Sequence, residues 1–126
     1  MTQYQKLQKI IKNAYAPYSK FKVAAILETD AGDFLGVNVE NASFSLTICA
    51  ERSAITNAIT HGAKDFKKLY LLTSSTKQTI TPCGACRQVM AEFANANMPI
   101  YVYNNAGKSK KYTLKQLLPC TFKTWS

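Results

Sequence analysis

Apolar residues at Tyr4, Leu7, Ile10, Ile11 and Ala14 recur at spacings of three and four, which predicts one buried helical stripe over residues 3–14. Pro17 closes that helix, and residues 15–20 read as a loop. Residues 21–27 form an apolar, β-prone run, and residues 34–39 form a second one. The turn signal Ala31-Gly32-Asp33 between them predicts a hairpin. Residues 41–47 are polar loop. The pattern turns helical over residues 49–61, with Gly62 as a stop. A short strand at 69–73, a polar loop at 74–82 and a helix at 83–95 entered through Thr81-Pro82 follow. A strand at 100–103, a turn at 104–107 and a short helix at 113–118, stopped by Pro119, complete the series. Strands alternating with helices after an opening hairpin predict an α/β fold: a mixed sheet covered on both faces, a three-layer sandwich. With 126 residues, no repeat and no linker, a single domain over residues 1–126 is expected.

Composition narrows the class. Hydrophobic residues make up 47% of the chain, too many for disorder, and no apolar run approaches the ~20 residues that span a bilayer. Residues 1–9 contain no apolar core or small-residue cleavage site of a secretory signal, so a cytoplasmic protein is expected. The net charge of +9 is spread over lysines such as Lys6, Lys12, Lys22 and Lys64, densest at Lys108, Lys110, Lys111 and Lys115. These read as solvated faces rather than a nucleic-acid groove, since no aromatic stripe accompanies them. His61, near a helix end, reads as a cap or surface residue.

The cysteines carry the chemistry. Reduced cytosolic thiols make a C-x-x-C pair with a distant third cysteine read as a metal site. Cys83 and Cys86 lie three apart at a predicted helix start and share a face. Cys49 opens the other central helix. If the strands before the two helices are neighbours, both helix N-termini, whose partial positive charge favours thiolates, point at one spot. Three thiolates on Zn²⁺ leave a net negative site, which Arg52 and Arg87 are placed to offset or to hydrogen-bond. Three protein ligands leave a coordination position for water, the mark of a catalytic rather than a structural zinc. Glu51, in the same turn as Cys49, is the candidate proton carrier. Cys120 follows Pro119 without a paired spacing and is expected to pack rather than to ligate.

Cys49-Ala50-Glu51-Arg52 and Pro82-Cys83-Gly84-Ala85-Cys86-Arg87-Gln88 match the Cys₃ zinc, non-ligand Glu and P-C-x-x-C pattern of zinc nucleobase deaminases. With Ala16-Pro17-Tyr18-Ser19-Lys20-Phe21, Asn38-Val39-Glu40-Asn41-Ala42-Ser43, Leu117-Leu118-Pro119 and Phe122, the chain resembles the cytidine deaminase family in its small homotetrameric, three-cysteine form. The resemblance implies a three-layer α/β/α sandwich on a mixed five-stranded sheet and one Zn²⁺ per subunit held by Cys49, Cys83 and Cys86. It implies hydrolytic deamination of free cytidine and deoxycytidine, a step of pyrimidine salvage, with Glu51 as the catalytic residue. It further implies that Asn38 and Glu40 bind the ribose 3′-hydroxyl and that Phe21 packs on the pyrimidine. The Ala50 N–H would hold the 2-oxo group, and Phe122 would reach a neighbouring subunit's site. The implied partners are a nucleoside and three further copies of the chain, with no membrane and no nucleic acid.

The chain departs from the family pattern at three positions. Phe44 stands where Tyr is common, which removes a hydroxyl; Ala24 replaces a common Gly; and Cys120 sits where Gly is frequent. Two rival readings remain at this stage. A deaminase acting on polymeric nucleic acid fits the basic charge but not Glu40, which suits a free hydroxyl better than a phosphate. A closed structural zinc module would require Cys120 as fourth ligand and leaves Glu51 without a role.

Overall fold

The computed structural model describes residues 1–123. Helix α1 (Gln3–Ile10) starts with a capping box in which Thr2 accepts from the Gln5 N–H and Gln5 bonds back to the Thr2 N–H. The predicted helix over 3–14 is shorter than expected: it tightens into a 3-10 turn at Ile11–Asn13 before the loop. Strands β1 (Val23–Thr29) and β2 (Gly32–Val37) pair antiparallel as the expected hairpin. Helix α2 (Ala50–Thr60) has Cys49 as its N-cap, and Gly62, at φ 85°, ends it as the left-handed residue a helix terminus favours. Strand β3 (Phe66–Thr73), helix α3 (Gly84–Phe93, N-capped by Cys83) and strand β4 (Pro99–Tyr103) follow. Strand β5 (Ser109–Thr113) leads into the single-turn helix α4 (Leu114–Leu117), which carries its own capping box from Thr113 and Gln116.

The five strands lie in the order β2-β1-β3-β4-β5; β3 and β4 run parallel and every other pair antiparallel. The sheet is therefore mixed, and β1 and β3 are buried at its centre. Alternate residues of β1 face opposite layers. Ala25 and Leu27 join Leu69, Leu71, Ile100 and Val102 in a core closed by Ala54 and Ile55 of α2 and Met90 of α3. Ala24, Ile26 and Leu72 meet Leu7 of α1 on the other face. The hydrophobic pattern does not announce β5. Ser109-Lys110-Lys111-Tyr112-Thr113 lacks the alternation of a half-buried strand, because it is the sheet edge, where lysines face water and block further pairing. None of the described helices is long and apolar enough to cross a membrane.

Candidate active site

The strand order contradicts one expectation. The strands that precede α2 and α3 are β2 and β3, and β1 lies between them. Adjacent strands therefore do not bring the two helix starts together. The connections do so: residues 38–48 are drawn back over the sheet by the bridge between Val39 and Ile48, which exchange N–H···O bonds of 2.9 Å. Gly36 of β2 lets α2 sit directly on the strand, since a Cβ there would lie 2.3 Å from the Ala50 carbonyl oxygen and 2.6 Å from the Ala54 nitrogen. The N-terminus of α2 is thereby set against that of α3.

The sulfurs of Cys49, Cys83 and Cys86 lie within 4.8 Å of one another, with Cys49 and Cys83 Sγ 4.0 Å apart. A tetrahedral zinc with Zn–S bonds of about 2.3 Å needs sulfurs about 3.8 Å apart, so the trio fits the ion with little adjustment. The burial is graded: Cys86 is fully buried, Cys49 half-buried and Cys83 exposed. Hydrogen bonding from Cys86 is the main reason the Cys49 thiol is pushed down to about 5, with Arg52 Nη2, 3.2 Å from its sulfur, acting in the same direction. The same contact, with burial, pushes the Cys86 thiol up. The Cys86 N–H points at Cys83 Sγ at 3.5 Å, a helix N-terminus donating to a sulfur. Arg52 donates to a sulfur. Arg87 does not: its donors go to Pro82 O, Leu117 O and Thr81 Oγ1 rather than to a sulfur. Cys120 is also away from the trio, beside Ala91, Ala94 and Leu118, but it is exposed rather than packed in the interior as expected, because it follows Pro119 in a surface turn after α4. No fourth ligand joins the three cysteines among the described residues.

Glu51 is 5% exposed, and burial raises its carboxyl to about 7, with the Cys49 charge adding to the effect. An acid poised near neutrality can both take and return a proton. It opens on a cavity of about 280 Å³, near the ~300 Å³ at which small-molecule clefts begin. Cys49, Cys83, Ala50 and Glu51 line the cavity together with Phe21, Asn38 and Glu40. Asn38, 7% exposed, holds the segment that carries Phe21 into β1, which begins at Val23 rather than at the expected residue 21: Oδ1 accepts from the Val23 N–H at 2.9 Å and Nδ2 donates to the Phe21 carbonyl at 2.8 Å. Glu40 Oε1 accepts from the Tyr18 and Ser19 N–H groups at 3.0 and 3.1 Å, and Oε2 accepts from the Ser19 hydroxyl. The Ser19 bonds hold the Glu40 carboxyl below the usual carboxylate range. The motif around Ser19 was legible in the sequence, but its grip on Glu40 was not. Thr47, Ile80 and Thr81 also line the cavity and carry no sequence signal. Phe122 does not line this chain's cavity; it stands 62% exposed, its carbonyl accepting from Gln88 Nε2 at 2.7 Å. His61 is a cap and surface residue as expected: Nδ1 lies 2.9 Å from the Asn57 carbonyl and the ring packs on Phe34.

A mixed sheet with two helix starts that gather three cysteine sulfurs beside a buried carboxyl, at the wall of a small-molecule cavity, defines a zinc-binding deaminase of the α/β class. Residues 2–102 match the family described as the cytidine and deoxycytidylate deaminase zinc-binding region. A cytidine deaminase of Sporosarcina psychrophila is 45% identical over 91% of this chain and 85% of its own length. One of Mycoplasma genitalium is 37% identical over 94% of this chain and 92% of its own. The crystal structure of the Burkholderia pseudomallei cytidine deaminase superposes with a TM-score of 0.89 at 38% identity, covering 97% of this chain and 100% of that one. The chain belongs to the cytidine deaminase family, and zinc is the metal that its cysteine trio fits.

Proposed function

We propose that this chain hydrolyses free cytidine and deoxycytidine to uridine and deoxyuridine plus ammonia, a step of pyrimidine salvage in the cytoplasm. One observation carries the reading: three sulfurs placed for one ion and the buried Glu51 share a small cavity with Phe21, Asn38 and Glu40. Cys49, Cys83 and Cys86 hold the zinc, which when bound acts as a Lewis acid and lowers the pKa of a water toward ~7. Arg52, bonded to Cys49 Sγ, offsets the thiolate charge.

Glu51 takes one proton from the attacking water and places it on N3 of the base as the oxygen adds to C4. Glu51 then carries the second water proton to the exocyclic nitrogen, the C4–N bond breaks, and ammonia leaves. The Ala50 N–H, at the start of α2, holds the 2-oxo group, and Phe21 packs on the pyrimidine. Asn38 and Glu40 retain free acceptor capacity for the ribose 3′-hydroxyl beyond the bonds they make to the 18–23 segment. The negative charge of Glu40 disfavours a phosphate at that position, which favours a free nucleoside over a polymer. Phe122 reaches the cavity of a neighbouring subunit in a homotetramer. The exposed Tyr18, Phe44, Leu46 and Ile48 supply apolar surface for such an assembly, with Phe44 contributing a ring but no hydroxyl.

Ultraviolet monitoring of cytidine loss by the zinc-loaded protein tests the reading, with an RNA oligonucleotide in parallel. Cytidine should be consumed, the oligonucleotide should not, and a chelator should stop the reaction. Glu51→Gln should keep zinc and fold while losing at least ~10³-fold in turnover. Near wild-type activity in that variant, or editing of the oligonucleotide alone, would refute the assignment.

A further inference from the structure

Arg87 follows the last metal-site cysteine, yet its side chain turns away from the sulfurs. Its guanidinium spends three donors on three neutral acceptors: Nε donates to Pro82 O at 2.6 Å, Nη2 to Thr81 Oγ1 at 2.7 Å and Nη1 to Leu117 O at 2.7 Å. Its backbone N–H adds a bond of 3.0 Å to Cys83 O. Thr81 and Pro82 are the two residues immediately before Cys83, the most exposed member of the trio. Leu117 is the last residue of α4, a single turn too short to persist alone, so its carbonyl is one of the open acceptors of a helix C-terminus. The neighbouring Gln88 takes the Phe122 carbonyl at 2.7 Å. Two consecutive residues of α3 thus hold both ends of segment 117–122, and one of them also holds the loop that presents Cys83.

We propose that Arg87 is a positioning residue that fastens the Cys83 loop to the end of α4, so that retention of the metal depends on that anchor. The proposal rests on the reading of Cys83 as a zinc ligand. Cys83 is open to solvent, and the other two cysteines sit deeper. Fixing Thr81 Oγ1 and Pro82 O on a planar fork removes the freedom of the loop to swing Cys83 outward. The fork is specific to arginine: a lysine ammonium is a single centre and cannot meet three acceptors in one plane. Partners that orient a ligand without touching the metal typically account for ~10–100-fold in metal affinity.

The test is zinc release from the loaded protein into a chromophoric chelator, read alongside urea denaturation. Wild-type zinc content by elemental analysis comes first, and a metal-free wild type would sink the zinc reading rather than this one. Arg87→Gln should release zinc ~10–100-fold faster than wild type, and Arg87→Lys should fall between. Leu7→Ala, at a buried position of α1 on the opposite face of the sheet from the cysteines, supplies the comparison. With a similar fall in denaturation midpoint it should release zinc at nearly the wild-type rate. If Arg87→Gln does not fold, Arg87→Lys carries the test by itself. Wild-type release from the arginine variants, or equally fast release from Leu7→Ala, overturns the proposal.

Discussion

Replacing Gly36 by alanine tests whether the active-site geometry depends on backbone contact between β2 and α2. The added methyl group would stand 2.3 Å from Ala50 O, 2.6 Å from Ala54 N and 3.1 Å from Ser53 Cβ. Two of these neighbours are helix backbone and cannot rotate away as a side chain tip does. Gly36 pairs with Ala25 in the sheet, so the strand cannot yield without straining β1. Helix α2 must therefore retreat by about 1 Å, an overpacking that costs ~1–3 kcal/mol. At roughly 4 °C per kcal/mol for a domain of this size, the Tm should fall by about 4–12 °C. The first turn of α2 carries Ala50 and Glu51, next to its N-cap Cys49, and a misplacement of about 1 Å at reacting groups costs ~10²-fold in rate. Calorimetry and a cytidine hydrolysis assay on the zinc-loaded variant should show a folded protein with kcat/KM down about 100-fold. A variant with wild-type Tm and wild-type kcat/KM would refute the claim that direct strand-to-helix contact sets the site.

Three further outcomes are expected. Ser19→Ala removes the hydroxyl that bridges Glu40 and the Phe21 N–H and should raise the KM for cytidine about 5-fold with kcat little changed; a fall in kcat alone would contradict this. Asp30 accepts from the Lys64 and Asp65 N–H groups, chiefly the latter, which lowers its carboxyl pKa. A lowered folded pKa contributes stability that is present above the unfolded value of ~3.9 and fades as pH falls through the folded value. Asp30→Asn should therefore lower the Tm at pH 7, and the gap to wild type should close toward pH 3; a gap that is constant with pH would count against it. Cys120, at φ 54°, occupies left-handed backbone that suits glycine, so Cys120→Gly should leave the Tm unchanged or raise it slightly, with zinc content unaltered by elemental analysis. Loss of zinc in that variant would reinstate Cys120 as a ligand.

Much of the site was legible because its informative spacings are local. Cys83 and Cys86 share a face by helix periodicity alone, Glu51 shares a turn with Cys49, and Gly62 marks where α2 must stop. The hairpin and the alternation of strands with helices follow from short-range pattern in the same way. The lysine-bearing edge strand β5 was not legible, because an edge needs no apolar face to read.

The sequence by itself determined which residues have the chemistry to hold a metal and move a proton, and which of them lie one turn apart. Only the tertiary structure decided that the sulfurs meet although β1 separates the strands leading to their helices, that Gly36 is the contact seating α2, and that Arg87 binds the end of α4 and the 81–82 loop rather than the thiolates. The reason is the range of the forces involved. Helix geometry fixes side chains three or four residues apart, whereas the partner of an arginine 30 residues from its acceptor is set by how the layers pack.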